Sequence, residues 1–195
     1  MGKDVKLSIL TPAVPSRLGK LDELCRMVAS QVGDWPVEHL VFLDNRRRTV
    51  GEKRDALLRV ARGEYVAFLD DDDWISPDYV TSILSAVESG PDVVTFLQEA
   101  TVDDFTATVE FRLGNVNEPF NPIASSVIKR NAWHVCAWRR TLAIQSRFPA
   151  SNYGEDWAFA APLCAIPGLK EIHLPQVLHF YRHNALTTEA PPPIT

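Results

Sequence analysis

GEYVAFLDDDDWISPDYV (residues 63–80) places four consecutive aspartates directly after a run with the character of a buried strand. EYVAFLD is short and apolar on both faces, the pattern of a central parallel strand. Mutual repulsion among Asp70, Asp71, Asp72 and Asp73 opposes folding unless a cation or a donor-rich ligand offsets it. In open α/β sheets ligands bind beyond the carboxyl ends of the strands, where this cluster falls. Hard oxygen donors suit Mg²⁺ or Mn²⁺, held by one or two carboxylates and completed by substrate phosphates. The expectation is a cation bridging to a diphosphate, with no unusual carboxylate pKa required.

The flanking segments supply a sheet for this strand. VKLSIL (5–10) reads as a first strand, and Leu18, Leu21, Leu24, Met27, Val28 and Val32 fall on one helical face. VEHLVFLD (37–44) is a second strand that runs into the basic loop NRRRTVGEKR. EKRDALLRVARG then reads as a helix closed by Gly63 as its C-cap. Beyond the aspartates, Ser76 and Pro77 take the N-cap and first position of a helix reaching about residue 89, before a fourth strand, DVVTFLQEA. This alternation implies βαβ units, a parallel sheet and right-handed crossovers.

From Val102 the pattern changes. TATVEFRL alternates like a half-buried strand, NVNEPFNPIASS is a loop, and AWHVCAW is a strand candidate followed by a helix near residues 140–146. EDWAFAAPLCAI reads as a helix despite Pro162, EIHL and VLHFYRH as two short strands, and the final EAPPPIT as a polyproline II tail. Parallel in the first half and mixed in the second, the chain reads as a nucleotide-binding half joined to an acceptor half.

With 195 residues, 46% of them hydrophobic and 23% charged, the chain has the means for one domain with a real core. A net charge of −5 gives no positive field for non-specific nucleic-acid binding. WHVCAWRRTLAIQSRF permits nucleic acid, but reads better as a strand plus an amphipathic helix. Cys25, Cys136 and Cys164 lack C-x-x-C spacing and are expected as reduced thiols of a cytoplasmic protein. MGKDVKLSILTPAVP meets prolines too soon for a signal peptide or anchor, and no apolar stretch approaches the ~20 residues that span a bilayer.

Three strand ends carry polar groups: Thr11 with Arg17 nearby, Asp44, and the aspartate run. Asp44 alone is equally a turn former before Asn45. Arg46, Arg47 and Arg48 read first as a solvated face, whereas Lys53 and Arg54 open a helix leading to the acidic strand and are better placed to meet a diphosphate. Pairing of those two with Glu52 or Asp55 is the alternative. An EF-hand fails, because Ile75 stands where the loop needs glycine. Neither a P-loop nor a G-x-G-x-x-G is present, which speaks against simple nucleotide hydrolysis and a dinucleotide cofactor. Glu155 and Asp156 sit at a loop–helix junction, where acidic residues suit the helix dipole and where one could serve as a general base. Strand alternation puts His179, Tyr181 and His183 on one face, a metal or phosphate contact or a structural pair.

VGEKRDALLRVARGEYVAFLDDDDWISPDYV resembles the nucleotide-sugar core of family 2 glycosyltransferases of the GT-A fold, and NYGEDWAFA resembles their E-D acceptor motif. LSILTPAVPSR is similar to the family's first strand and nucleotide loop, and VLHFYRHN to its closing strand. The resemblance covers residues 6–184 and implies an α/β, Rossmann-like, mainly parallel central sheet flanked by helices in one compact domain. That domain would span residues 1–184, with 5–100 as the nucleotide-sugar half, 101–184 as the acceptor half and 185–195 as a tail. Thr11, Pro12 and Arg17 would border the nucleotide, and Asp44 would accept from the base, uracil in a UDP-sugar. Asp70 and Asp72 would form the D-x-D pair, Asp72 as the direct ligand of Mn²⁺ or Mg²⁺ and Asp70 or Asp71 near the ribose. Asp156 would be the catalytic base, Glu155 its neighbour on the acceptor, and His183, with His179 as fallback, a further metal contact. Asp55 departs from the asparagine that many members carry there. The implied activity is inverting transfer to a hydroxyl on a small molecule, glycan, protein or modified nucleic-acid base. A nucleotidyltransferase, a sugar-nucleotide hydrolase or a non-catalytic binding module are the alternatives.

Overall fold

The computed structural model describes residues 4–103, 105–119 and 127–183. The C-terminal tail and residues 120–126 of the expected loop lie outside the described residues. Strand β1 (Leu7–Ala13) is buried along its whole length, with β2 (Val37–Leu43) parallel on one side and β3 (Tyr65–Phe68) parallel on the other. Helix α1 (Leu18–Val32) buries Leu21, Leu24 and Val28 of the stripe its spacing predicts, while Leu18 at its first position is exposed. Helix α2 (Val50–Val60) opens with a capping box, in which the Thr49 hydroxyl accepts from Glu52 N and the Glu52 carboxylate accepts from Thr49 N.

Two helix boundaries differ from expectation. Helix α2 ends at Ala61, whose extended backbone stops it before Gly63. Gly63 is instead a point of close approach, since a Cβ there would lie 2.5 Å from Ser8 N. Its own N–H donates to Ser8 Oγ at 2.8 Å. After the aspartates, a two-residue strand β4 (Trp74–Ile75) delays the next helix. That helix, α3 (Tyr79–Val87), has Asp78 rather than Ser76 at its N-cap position, without a side-chain cap bond, and the Ser76 hydroxyl donates to Asp78 Oδ1 at 2.7 Å.

The remaining elements are β5 (Val93–Val102), β6 (Phe105–Phe111), β7 (Val127–Arg130), β8 (Ala137–Arg139), α4 (Arg140–Ala143), α5 (Glu155–Cys164) and β9 (Glu171–His183). The sheet runs β2-β1-β3-β8-β5-β6-β7, with β9 parallel to β5 and β4 antiparallel to β9. The fourth predicted strand, β5, therefore does not lie beside β3. Strand β8 is inserted between them and is antiparallel to both. Only Ala137 and Trp138 of AWHVCAW belong to that strand, and the turn before it is closed by Cys136 N donating to Trp133 O. EIHL and VLHFYRH form one strand. Its register against β5 shifts between Phe96 and Gln98, which absorbs Pro175 as an irregularity instead of a break. The fold is a mixed α/β sheet flanked by helices.

Helix α5 is placed by aromatic packing and by its preceding loop. Phe159 stacks on Phe148 with ring centroids 4.2 Å apart, and both meet Phe68 at the end of β3 edge-on. Loop 149–152 docks on the first turn of α2, where Gly51 N donates to Ser151 O and a Cβ on Gly51 would lie 1.9 Å from Pro149 O. The tip of β3, the start of α2 and the start of α5 are thereby held together. Cys25, Cys136 and Cys164 are free thiols. Among the described residues no helix is long and apolar enough to cross a membrane.

Candidate active site

Beyond the end of β3 lies a cavity of about 510 Å³. Residues from every segment singled out above line it: Pro12 and Arg17, Lys53 and Arg54, Asp70, Asp72 and Asp73, Glu155 and Asp156, and His179 and Tyr181. Groups as far apart in the chain as Pro12 and Tyr181 meet there, although Thr11 and Asp44, at two of the three strand ends, are not in the lining.

Each of the four aspartates has its own partner, because the chain turns after Phe68 and strand alternation no longer applies. Asp70 Oδ1 accepts from Arg54 Nη2 at 2.6 Å. Asp71 Oδ2 accepts from Val14 N at 2.9 Å, and its Oδ1 lies 2.9 Å from Arg17 Nε. Asp72 Oδ2 accepts from Arg17 Nη1 at 2.7 Å, with Lys20 Nζ at 3.8 Å. Asp73 Oδ2 closes the turn by accepting from Asp70 N, and also meets His179 Nε2 at 2.9 Å. The protein's own cations and backbone donors thus offset much of the repulsion that the sequence assigns to a metal.

The expectation of ordinary carboxylate pKa values is corrected. Burial acts to raise Asp70, but the Arg54 guanidinium outweighs it and holds the group at about 2. Asp71, deeply buried, is pushed up to about 6 by desolvation against the pull of Arg17. Asp73 and Glu155 are likewise raised by burial.

Several residues stand elsewhere than the sequence places them. Thr11 is fully buried and turned to β2, its Oγ1 2.9 Å from His39 Nε2, and does not line the cavity. Asp44 also stands behind the cavity lining, taking Arg48 N at 3.0 Å and Lys53 Nζ at 3.4 Å. Lys53 Nζ reaches Ala13 O at 3.1 Å as well, so its charge is directed to the end of β1. Arg54 is 3% exposed and its two terminal nitrogens hold Glu155 Oε1 and Asp70 Oδ1, so it braces carboxylates from two segments. Arg46 and Arg47 are exposed, and Arg48 lies over the Phe42 ring. His183 ends β9, where its backbone pairs with Val102, and its side chain lies outside the described residues. His179 is buried with both ring nitrogens engaged, Nδ1 by Gln98 Nε2 at 2.7 Å and Nε2 by Asp73, which leaves neither free for a metal in this arrangement.

Asp156 is held by residues the sequence does not flag. Its Oδ2 accepts from Trp133 Nε1 at 3.3 Å, and its Oδ1 from Trp157 N at 2.7 Å. Beside it lies His134, buried and held neutral, its pKa lowered to about 3 by burial and by the charge of Arg54. Trp133, His134, Gln98 and Arg130 all line the cavity without a motif to announce them.

Among the described residues no three His, Cys, Asp or Glu side chains group as a metal site. Asp70 Oδ2 and Asp72 Oδ1 nevertheless have no hydrogen bond or ion pair among those residues, and both side chains line the cavity. Two hard oxygens beside open volume fit a cation that takes its other ligands from phosphate and water.

The chain matches the glycosyl transferase family 2 model over residues 21–146. EpsH of Bacillus subtilis (strain 168), whose name gives glycosyltransferase as its provisional activity, is 31% identical over 80 residues, covering 37% of this chain and 23% of EpsH. Among solved structures, S. aureus TarS has a TM-score of 0.63 at 15% identity, over 92% of this chain and 37% of TarS. TarS 1–349 in complex with UDP-GlcNAc gives the same score and identity, over 92% of this chain and 59% of that one. The chain therefore spans less than two thirds of each of these relatives. The likeness to TarS is one of fold, while the family model takes in more than half of the sequence, and on that ground the chain belongs to glycosyl transferase family 2.

Proposed function

We propose that the chain is an inverting glycosyltransferase, moving a sugar from a nucleoside-diphosphate sugar, specifically a UDP-sugar, to an acceptor hydroxyl with a divalent cation. The observation that carries this reading is that Asp70 and Asp72, the cations Arg17 and Lys53, and the carboxylate of Asp156 all face one cavity beyond β1 and β3. A fold shared with TarS, solved in complex with UDP-GlcNAc and with UDP, supports the choice of donor.

Asp72 and Asp70 would hold Mg²⁺ or Mn²⁺ through their free oxygens. When bound, the cation supplies positive charge to the departing diphosphate. Arg17 spans Asp71 and Asp72 and lies beside the β1 loop, so it stays within reach of the donor phosphates while tethering the acidic turn. Lys53 adds charge from the start of α2. Asp156 takes the proton of the acceptor hydroxyl as that oxygen attacks the anomeric carbon opposite the leaving group, in one displacement. The Trp133 indole and the Trp157 N–H each donate to a different oxygen of Asp156 and so fix the carboxylate plane. Arg54 keeps Asp70 ionised at any working pH, as a metal-holding carboxylate requires.

The test begins with a thermal-shift screen of UDP- and GDP-sugars with and without Mn²⁺, in which UDP-sugars with Mn²⁺ should raise Tm by mass action. Asp72→Ala should abolish the metal-dependent part of that shift. Asp156→Asn should keep donor binding and cut transfer by about 100- to 10,000-fold. Full transfer activity in either variant refutes the role assigned to that residue. Donor binding without turnover across an acceptor panel identifies a binding module instead.

A further inference from the structure

Among the described residues six arginine and lysine side chains line the cavity, and five have an identifiable partner. Arg17, Lys53 and Arg54 are paired with carboxylates. Arg48 and Arg182 lie over the rings of Phe42 and Trp74. Arg130, at the end of β7, has no ion pair, side-chain hydrogen bond or ring contact among the described residues. It is nevertheless half-buried, and burial lowers its pKa from the ordinary arginine value. The charges of Asp156 and Glu118 act on it, but neither closes an ion pair, and Glu118 Oε2 accepts from Lys129 N instead.

Besides those two charges, the neighbours of Arg130 on this wall are apolar. It stands opposite Phe111 in the β6–β7 register, and Phe111, Val109 and Ala100 form a buried floor beside it on the cavity side of the sheet. Trp133, which holds Asp156, completes this corner. A partly desolvated guanidinium over an apolar floor is costly unless an anion joins it, and its planar fork suits a carboxylate or phosphate bound through two oxygens.

Resting on the glycosyltransferase reading, we infer that Arg130 is an acceptor-binding residue, and that the acceptor carries an anionic group, phosphate or carboxylate, on the same molecule as the attacking hydroxyl. The anion seated on Arg130 orients the hydroxyl toward Asp156, and the Phe111 and Val109 surface takes the acceptor's apolar face. Arg130 also offsets the repulsion that Asp156 exerts on such an acceptor.

The full chain, saturated with UDP and Mn²⁺, is titrated with glucose, glucose 6-phosphate and glucuronate, three rings that differ in charge and in its source. Wild type should bind one or both charged probes about 10- to 100-fold more tightly than glucose. The better probe tells phosphate from carboxylate. Arg130→Ala should erase that preference, while Arg130→Lys should keep part of it. Arg130→Gln serves in place of the alanine variant if the latter does not fold. In transfer assays the loss should fall on KM for charged acceptors, not on kcat for neutral ones. Equal affinity for the three probes in wild type, no binding of any, or a preference that survives loss of Arg130, overturns the inference. A shift in the pH profile of kcat with neutral acceptors would overturn it too, showing that Arg130 acts on Asp156. Failure of the glycosyltransferase reading has a different signature: no UDP-dependent thermal shift, with the charged-probe preference still present.

Discussion

At the tip of β3 every aspartate has a donor of its own, and the donors are themselves shared: Arg17 serves Asp71 and Asp72, and Arg54 serves Asp70 and Glu155. On the wall built by β5, β6 and β7, Arg130 stands half-buried without an ion pair among the described residues, and Asp156 accepts there from an indole and a backbone N–H. The first region is a closed network but for Asp70 Oδ2 and Asp72 Oδ1, which face the cavity, and the second is an open one. Closed networks fix geometry before a ligand arrives, whereas open ones leave binding capacity for the ligand to use. On this view the chemistry common to a donor sits at β3, and discrimination among acceptors sits on the wall.

The largest effect is expected from cutting the closed network at Arg54. Arg54→Met removes the guanidinium that bridges the buried Glu155 and the partly exposed Asp70, and should cost about 3–5 kcal/mol in urea unfolding, chiefly by leaving Glu155 unpaired. Arg54→Lys should recover only part of that, because one ammonium cannot fork to Asp70 and Glu155 as the guanidinium does. Combining Arg54→Met with Asp70→Asn and Glu155→Gln should restore much of the stability by removing the unpaired charges. If Arg54→Met alone unfolds like wild type, the network is not closed in solution and the contrast with the wall fails.

A pH measurement sharpens the same contrast on the sheet edge beneath the network. His39 is desolvated against Thr11 and its pKa falls from 6.5 to about 4. Between these values the unfolded chain takes up a proton that the folded chain refuses. The contribution of His39 is therefore fully present above pH 6.5 and is lost as pH falls toward 4, by about 3 kcal/mol. His134 pushes in the same direction, and Asp71, raised to about 6, pushes against it. Urea unfolding of His39→Gln against wild type, at pH 7.5 and pH 4.5, isolates the His39 part. The variant should be the less stable of the two at pH 7.5 and should gain on wild type at pH 4.5. A difference that does not change with pH would show that His39 is solvated.

How much of this could be read from the sequence follows the same division. The strand before the aspartates, the amphipathic stripe of α1 and the strand ends that meet at the cavity were legible, because periodicity and a charge run are local signals. The job of each aspartate was not, since it depends on Val14, Arg17, Arg54 and His179, and a turn has no period to count. The insertion of β8 between β3 and β5 was hidden for a related reason. Three residues of strand following a turn cannot be told from the longer apolar run AWHVCAW, and only long-range pairing with Tyr65 and Val93 decides it. EIHL and VLHFYRH read as two strands where a shift of register near Pro175 makes one. Trp133, His134 and Arg130 had no motif at all, and they acquire meaning only by standing next to Asp156, more than twenty residues away in the chain.

The smallest effect tests whether the closed network begins with local sequence. Thr49 and Glu52 satisfy each other's backbone N–H groups at the start of α2, one turn before Lys53 and Arg54. Thr49→Ala leaves Glu52 N without its acceptor and should cost about 1 kcal/mol in urea unfolding, a common value for loss of an N-cap. Asn152 still holds Val50 N at 2.9 Å, and Gly51 still meets Ser151, so the helix start keeps two anchors and should fray without detaching. Hydrogen exchange should therefore quicken at residues 50–53 and stay slow at Leu57 and Leu58, which are buried. UDP binding should weaken modestly, since Lys53 loses the fixed turn that aims it at the end of β1. Binding that is unchanged while exchange quickens would show that the anchors from loop 149–152, and not the cap, position Lys53.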